Sequence, residues 1–305
     1  MSDLGLAGFG ETRIAVGEAD YYITNGGEGP PVLLLHGFPE THFCWRAVAP
    51  RLARDHAVVA PDLRGYGASS APAGGPYGEG FSKREMAREL VEVMSALGHE
   101  RFAVVGHDRG ARVAYRLALD HPGRVASVAI LNAVPTIEQF ERMGAGPSLG
   151  FWPWFLLAQP SRFPERLFEA DPSGVLNHVF ATWSGDPEAI TAEARETYRR
   201  AFDPPTIAAI CGDYRASFHI DRGHDAADRE AGRRIKAPIL VVIGAEETQL
   251  ADAPDIWRAW ADDVAVAELP GGHFLPEEAP GALVAVLAGF LGAGVNDDAD
   301  AGWAL

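Results

Sequence analysis

Runs of consecutive apolar residues alternate along the chain with segments in which apolar residues recur every three or four positions. The runs are short and rich in β-branched side chains, which is typical of strands that are buried on both faces. The other segments have the spacing of amphipathic helices, and one of them begins with a capping box formed by Ser82 and Glu85. We predict buried strands over residues 32–36, 58–60, 102–105, 125–131 and 239–244, and a last strand near residues 264–269.

Strands that alternate with helices favour a parallel sheet that is covered by helices on both faces. A short hairpin over residues 12–24 precedes this pattern. In such sheets, ligands bind at the carboxyl ends of the strands. Phe38, Asp108 and Asn132 each follow a predicted strand closely, so we expect these three residues to lie near one another.

The alternation stops between residues 134 and 222. This segment offers no pattern typical of a buried strand and is rich in Trp, Phe and Pro, with helices predicted over residues 187–201 and 205–218. We interpret it as an all-helical cap inserted into an α/β core. The core then comprises residues 1–133 and 223–293, and residues 294–305 form an acidic C-terminal tail.

The composition limits the kinds of partner that the protein takes. The 305 residues carry a formal net charge of −16, which argues against nucleic acid because its binding requires a basic face. Two cysteines, no metal-spaced cluster and no dinucleotide-binding motif lead us to expect a reducing compartment, no metal and no cofactor. The first residues lack the pattern of a signal peptide, and the longest apolar run is too short to span a bilayer. These features predict a soluble cytoplasmic protein.

The segment Gly106-His107-Asp108-Arg109-Gly110 lies between a predicted strand and a predicted helix. Glycines at both ends of such a turn are typical of the nucleophile elbow, in which the central residue projects from a strained turn. Here that residue is Asp108, and a carboxylate in this position displaces a leaving group from carbon to form an ester. The alternative is an ordinary turn in which Asp108 caps the helix.

A candidate base lies near the end of the core, where His273 follows two glycines after the last predicted strand. In hydrolases that have a nucleophile elbow, the chain order is nucleophile, acid, histidine. The histidine would activate the water that opens the ester. The alternative is a solvated loop histidine.

Four motifs in this order make the sequence similar to a known family. They are His36-Gly37-Phe38-Pro39, Asp62-Leu63-Arg64-Gly65-Tyr66-Gly67, Gly106-His107-Asp108 and Gly271-Gly272-His273. Together they resemble the α/β-hydrolases that use an aspartate nucleophile, which include haloalkane dehalogenases, epoxide hydrolases and haloacetate dehalogenases. The resemblance implies an eight-stranded, mostly parallel sheet, a helical cap, and an oxyanion hole formed by the backbone amides of Phe38 and Arg109.

Two arginines favour one branch of this family. Arg109 and Arg112 lie in the first turn after Asp108, where a cation opposes the helix dipole. Guanidinium binds carboxylate through paired hydrogen bonds, so we predict a clamp for a substrate carboxylate; the alternative is an ion pair with the cap. An arginine directly after the aspartate is similar to the haloacetate dehalogenases of the fluoroacetate type. The resemblance further implies that Trp154 and Tyr214 donate hydrogen bonds to the departing halide.

The sequence departs from this family at two positions. The resemblance implies a histidine directly before the cap tryptophan and an aspartate after the sixth strand, but the chain has Pro153 and Asn132 there. Other α/β-hydrolases carry their acid near the position of Glu247. We therefore predict that Glu247 partners His273, with Asn132 as a neutral alternative and Glu246 as a less favoured neighbour.

The sequence favours hydrolytic dehalogenation of small 2-haloacids through an Asp108 ester that is opened by water activated by His273. Two alternatives stay open: an epoxide hydrolase that uses the same residues, and a non-catalytic binder of small carboxylates. The resemblance also implies a homodimer. The preferred halogen and the natural substrate do not follow from the sequence.

Overall fold

The computed structural model describes residues 6–72, 74–144 and 149–293. Within these ranges, eight strands form one sheet in the order β1-β2-β4-β3-β5-β6-β7-β8. The strands β3 to β8 run parallel, whereas β2 is antiparallel to both of its neighbours. The strands are β1 (Gly10–Val16), β2 (Ala19–Gly26), β3 (Pro31–Leu35), β4 (Ala57–Pro61), β5 (Phe102–His107), β6 (Val125–Leu131), β7 (Ile239–Gly244) and β8 (Val264–Leu269).

The predicted fold class is confirmed, because the buried apolar runs became the strands of a mostly parallel eight-stranded sheet. Every residue of β5 and β7 is buried, as expected for strands that helices cover on both faces. The register pairs His107 with Leu131, and Leu131 with Val242, so β5, β6 and β7 end at the same edge. Asp108 and Asn132 directly follow two of these ends.

Helices occupy the connections between the strands. In the first part of the core, a 3-10 helix spans His42–Ala47, and the two helices that follow β4 and β5 pack against each other. The helices before residue 134 are α1 (Ala49–Leu52), α2 (Lys83–Ala96) and α3 (Arg109–Asp120), and those after β7 are α11 (Ala253–Trp260), α12 (Leu275–Glu278) and α13 (Pro280–Ala293).

Between β6 and β7 the described residues contain helices and no strand. These helices are α4 (Thr136–Glu141), α5 (Trp152–Leu156), α6 (Phe163–Ala170), α7 (Pro172–Trp183), α8 (Ala192–Ala201), α9 (Pro204–Ala216) and α10 (Arg222–Glu230). A π-helical segment, Ser217–Asp221, joins α9 to α10 without a break. The division into core and cap at residues 134 and 222 stays a prediction, and the predicted acidic tail lies outside the described residues.

One cap helix is shorter than predicted. The sequence indicated a single helix over residues 187–201, but the structure has a 3-10 turn over Pro187–Ala189 and then α8. The side chain of Thr191 accepts a hydrogen bond from the backbone N–H of Ala194 at 3.2 Å, so α8 has its own N-cap. Among the described helices, none is long and apolar enough to cross a membrane.

Candidate active site

Asp108 lies in a strained turn between β5 and α3. Its φ angle of 47° is unusual for a residue other than glycine, and its side chain makes no capping hydrogen bond to α3. The turn is tight, because a Cβ atom on Gly106 would lie 2.5 Å from the carbonyl oxygen of Gly110, and one on Gly110 would lie 2.3 Å from that of Leu35. The geometry is that of a nucleophile elbow and not that of an ordinary helix cap.

The Asp108 carboxylate is buried and holds a charge that its neighbours stabilise. Burial alone would raise the pKa of Asp108, but the charges of His273, Arg109, His107 and Arg112 outweigh burial and lower that pKa below its usual value. The backbone N–H of Phe38 donates to Oδ1 of Asp108 at 3.0 Å. An ionised carboxylate in this position is able to act as a nucleophile.

His273 lies between two carboxylates. Its Nε2 is 3.7 Å from Oδ2 of Asp108, and its Nδ1 is 3.5 Å from Oε1 of Glu247. Burial would lower the pKa of His273, but the contact with Glu247 and the charge of Asp108 raise it above its usual value. Among the described residues, no group forms a hydrogen bond with Nε2, which leaves this nitrogen available to a water molecule beside Asp108.

The loop that carries His273, residues 271–274, is called the histidine loop here. The side chain of Asn132 binds the backbone of this loop and not the imidazole ring. Its Nδ2 donates to the carbonyl oxygens of Gly272 at 3.0 Å and His273 at 2.9 Å. Its Oδ1 accepts a hydrogen bond from the backbone N–H of Gly244 at 2.9 Å. Of the two predicted partners of the imidazole, the structure places Glu247 beside the ring and Asn132 behind the loop.

Arg112 is a buried cation without an acidic partner among the described residues. Its Nη1 donates to the carbonyl oxygen of Val134 at 2.7 Å, and its Nη2 donates to Oε1 of Gln139 at 3.2 Å. Its Nε has no acceptor in the described part of the chain. Burial, and then the charge of Arg109, lower the pKa of Arg112 to about 10. In the described part of the chain, no carboxylate lies within ion-pair distance of this buried guanidinium, and the charge of Asp108 stabilises it only from farther away.

Arg109 differs from Arg112 because its charge is already paired. Its guanidinium binds the carboxylate of Asp213 on α9 through Nη2, and through Nε at 3.1 Å. Its Nη1 has no acceptor among the described residues. The two arginines of the predicted clamp are therefore not equivalent. The alternative prediction, an ion pair with the cap segment, describes Arg109, although this pair is buried.

Trp154 and Tyr214 surround the two guanidinium groups. The Cζ atoms of Arg109 and Arg112 lie 4.8 Å and 4.4 Å from the centre of the Trp154 ring, and Arg109 is 4.2 Å from the Tyr214 ring. Within the described residues, no acceptor binds the indole N–H of Trp154 or the hydroxyl of Tyr214. Pro153 is buried in the first turn of α5 and adds no side-chain donor.

A cavity of about 480 Å³ joins these groups. Asp108, Arg112, Trp154, Glu247 and His273 line it, whereas Arg109 and Tyr214 pack against the lining residue Trp154. Among the described residues, no group of His, Cys, Asp or Glu is arranged to hold a metal ion.

Three residues of the site did not emerge from the sequence. Gln139 and Trp183 line the cavity, and Asp213 holds Arg109. Gln139 and Trp183 lie on cap helices whose inner faces the apolar pattern did not resolve. Asp213 directly precedes Tyr214, one of the positions at which the sequence resembles the haloacetate dehalogenases. Its partner Arg109, however, is more than a hundred residues away in the chain, and no local signal connects the two.

Comparisons with known proteins find related hydrolases and a closely similar fold. A family model described as the alpha/beta hydrolase fold matches residues 30–280. A fluoroacetate dehalogenase from Burkholderia sp is 39% identical over 93% of this chain and 94% of its own length. A soluble epoxide hydrolase from Corynebacterium sp. (strain C12) is 31% identical over 85% of this chain and 89% of its own. A crystal structure from Nostoc sp PCC 7120, assigned provisionally to the alpha/beta hydrolases, superimposes with a TM-score of 0.91 at 44% identity and covers 94% of this chain and 99% of that one.

Proposed function

The chain belongs to the α/β-hydrolase family, and from this premise we propose that it hydrolyses the carbon–halogen bond of small 2-haloacids. The observation that carries the proposal is Arg112, which is 2% exposed, borders the cavity beside Asp108 and has no acidic partner among the described residues. A buried cation without a counter-ion is costly, and a substrate carboxylate would supply that counter-ion. The similarity to a fluoroacetate dehalogenase supports the same substrate class.

In the first step, the substrate carboxylate binds Arg112, which lines the cavity, and the guanidinium of Arg109 adds positive charge from behind Trp154. The halogenated carbon then faces Asp108. Its carboxylate attacks that carbon, the carbon–halogen bond breaks, and the halide leaves with the electron pair of that bond. The free N–H of Trp154 and the free hydroxyl of Tyr214 donate to the departing ion, while the product of the step is an ester of Asp108.

In the second step, water opens this ester. Neutral His273 takes a proton from the water through Nε2, and the resulting hydroxide attacks the Cγ atom of Asp108. The N–H of Phe38, with that of Arg109, stabilises the charge that develops on the carboxyl oxygen, and Glu247 stabilises the imidazolium. The bond between Cγ and the ester oxygen breaks, and the imidazolium returns its proton to that oxygen, so a 2-hydroxyacid leaves. Asp108 releases the second proton of the water to solvent and is restored as a carboxylate with one oxygen from water.

An epoxide hydrolase is the second candidate, favoured by the relatives of that name and by the unpaired hydroxyl of Tyr214. That hydroxyl would protonate the opening ring. Trp154 stands where a second acid would help, but an indole is a far weaker acid than a phenol. A neutral epoxide, however, supplies no counter-ion for Arg112. The third alternative, a non-catalytic carboxylate binder, does not explain why His273 lies between Asp108 and Glu247.

Halide release from bromoacetate separates these alternatives. We expect the protein to liberate bromide from bromoacetate and to leave a neutral epoxide such as styrene oxide largely unchanged. The variant Asp108→Asn should abolish bromide release and any residual opening of the epoxide. In a single turnover in heavy-oxygen water, the label should appear in Asp108. Rapid opening of the epoxide without bromide release would support the second candidate, and binding of acetate without either reaction would support the third. Label that passes directly into the product would refute the ester.

A further inference from the structure

The loop that carries His273 is held by a single carboxylate, that of Glu278. Its Oε2 accepts a hydrogen bond from the backbone N–H of Gly272 at 2.9 Å, and its Oε1 accepts one from Phe274 at 2.9 Å. These two amides flank His273. In the described part of the chain, no Lys, Arg or His pairs with Glu278, so backbone N–H groups alone balance its charge.

The same carboxylate also holds a segment of the predicted cap, residues 183–186, which we call the cap strap. Oε2 of Glu278 accepts hydrogen bonds from the N–H groups of Gly185 at 2.7 Å and Asp186 at 3.0 Å. In addition, the N–H of His273 donates to the carbonyl oxygen of Trp183 at 2.9 Å. The histidine loop and the cap strap are therefore fixed to each other by one direct hydrogen bond and by the carboxylate that they share.

The two segments approach each other too closely for any side chain to lie between them. A Cβ atom on Gly272 would lie 2.4 Å from the backbone nitrogen of Gly185 and 2.7 Å from the carbonyl oxygen of Trp183. Trp183 and Gly185 also line the cavity, and the Trp183 ring contacts the imidazole with centroids 5.1 Å apart. A shift of the cap strap would therefore displace the base.

We infer that Glu278 is a positioning residue that joins the cap strap to the histidine loop, so that His273 stands in line with Asp108 only while the strap is docked. The inference rests on the proposed function. A carboxylate accepts several N–H groups at once and binds them more strongly than a neutral acceptor does. Glutamine has one oxygen, and its amide group would face some of these N–H donors.

Ester hydrolysis requires an aligned base, whereas ester formation does not use His273. Loss of the link should therefore slow hydrolysis much more than formation, since a misplacement of about 1 Å can cost about a hundredfold in rate. We expect Glu278→Gln to slow hydrolysis of the Asp108 ester at least about tenfold while formation changes little. The alkylated protein should then accumulate with bromoacetate, as measured by mass spectrometry of the quenched reaction, and Glu278→Asp should recover part of the rate.

Glu277→Gln provides the matched control. The side chain of Glu277 also joins the core to a cap helix, through Arg46 and Tyr198, but among the described residues it makes no hydrogen bond to the histidine loop. It should weaken the fold without a build-up of ester. Equal accumulation in Glu277→Gln and Glu278→Gln would overturn the inference, because general loosening of the cap would then explain the effect.

A measurement without substrate separates this inference from the proposed function. The imidazole of His273, which faces Asp108, Glu247 and Glu40, is titrated by NMR in the unmodified protein and in both variants. In Glu278→Gln we expect the titration of His273 to move to lower pH, because the contact with Glu247 lengthens, and amide exchange at Gly272 and Gly185 to accelerate. If the unmodified protein releases no halide but these shifts occur, only the proposed function fails. If neither the titration nor the exchange changes, the role of Glu278 is refuted.

Discussion

At the scale of single residues, Arg112 is the side chain on which the proposal of an anionic substrate depends. Its Nη1 and Nη2 are held by Val134 and Gln139, which leaves Nε free. Lysine keeps the charge but loses this planar arrangement of donors, a loss of about 1–3 kcal/mol of charge-assisted hydrogen bonding. We therefore predict that Arg112→Lys lowers kcat/KM for bromoacetate at least about tenfold, since 1.4 kcal/mol corresponds to tenfold.

Arg215→Lys is the control for this prediction, because Arg215 is also buried and binds Glu165 with two hydrogen bonds but does not line the cavity. It should leave kcat/KM nearly unchanged. The role of the guanidinium groups in binding carboxylate would be wrong if neither Arg112→Lys nor Arg109→Lys changed kcat/KM.

Asn132 offers a second test at this scale. Because its amide donates to two carbonyl oxygens, an aspartate there would place negative charge against them, and each unpaired buried acceptor costs about 1–3 kcal/mol. We predict that Asn132→Asp slows turnover, although it introduces the acid that the resemblance implies.

Glu247→Gln should slow ester hydrolysis more than ester formation, and Asn132→Ala should do so less. Recovery of turnover when Asn132→Asp is added to Glu247→Gln would show that position 132 can supply the acid.

The sequence was informative about residues whose role depends on local chain geometry and less informative about their partners. Asp108 and His273 stand in short glycine-rich turns, which leave a pattern in the sequence. The partners Asp213 and Glu278 lie in ordinary helices, and their contacts join positions about a hundred residues apart. Such contacts are set by tertiary packing, which neither spacing nor composition records.

At the scale of elements, the strands were predicted more accurately than the helices. Residues 125–131, 239–244 and 264–269 are strands with the predicted bounds. For the first two, burial on both faces demands a mostly apolar run, whereas only the last residue of the edge strand β8 is buried. The helices of the cap segment begin and end at prolines and capping side chains that the apolar spacing does not reveal. Thr191 and Asp203 each cap a new helix within a segment of mixed polarity.

Helix α5 leads to a prediction about the halogen. Its first turn contains Pro153, where the resemblance implies a histidine that would donate to the halide, and proline has no N–H. Loss of one preorganised donor costs about 2.7–4 kcal/mol, or roughly a hundred- to a thousandfold in rate. This loss should affect fluoride most, because fluoride is small, strongly hydrated and a poor leaving group. We therefore expect turnover of bromoacetate and chloroacetate, with fluoroacetate slow or undetectable in a fluoride-electrode assay.

The variant Pro153→His should restore part of the fluoride release while the rate for chloroacetate changes less. If the unmodified protein cleaves fluoroacetate as fast as chloroacetate, two donors are sufficient or another residue supplies the third. The similarity to a fluoroacetate dehalogenase makes this outcome informative in either direction.

At the scale of the whole molecule, one buried ion cluster holds the cap segment on the core. Asp213 of α9 binds Arg109 of α3 and Lys83 of α2, and it accepts a hydrogen bond from the hydroxyl of Tyr66 at 2.9 Å. All four side chains are buried. The cluster fixes Arg109 beside Asp108, so the assembly of cap and core and the electrostatics of the site depend on the same carboxylate.

We predict that Asp213→Asn lowers the free energy of unfolding by about 3–5 kcal/mol, because it leaves Arg109 and Lys83 buried without their counter-ion. Burial opposes ionisation of Asp213, but Arg109 and Lys83 hold its pKa well below the usual range. A carboxyl group with a depressed pKa in the folded state stabilises the fold above its unfolded pKa of about 3.9, and this contribution is lost as the pH falls through the folded pKa. Urea unfolding should therefore give the same difference between variant and unmodified protein at neutral and mildly acidic pH, and a smaller one below about pH 4.

The control Asp255→Asn removes an exposed carboxylate paired with Arg258 and should change stability by no more than about 0.5 kcal/mol. A difference for Asp213→Asn as small as that of the control would mean that the ion cluster does not hold the cap on the core.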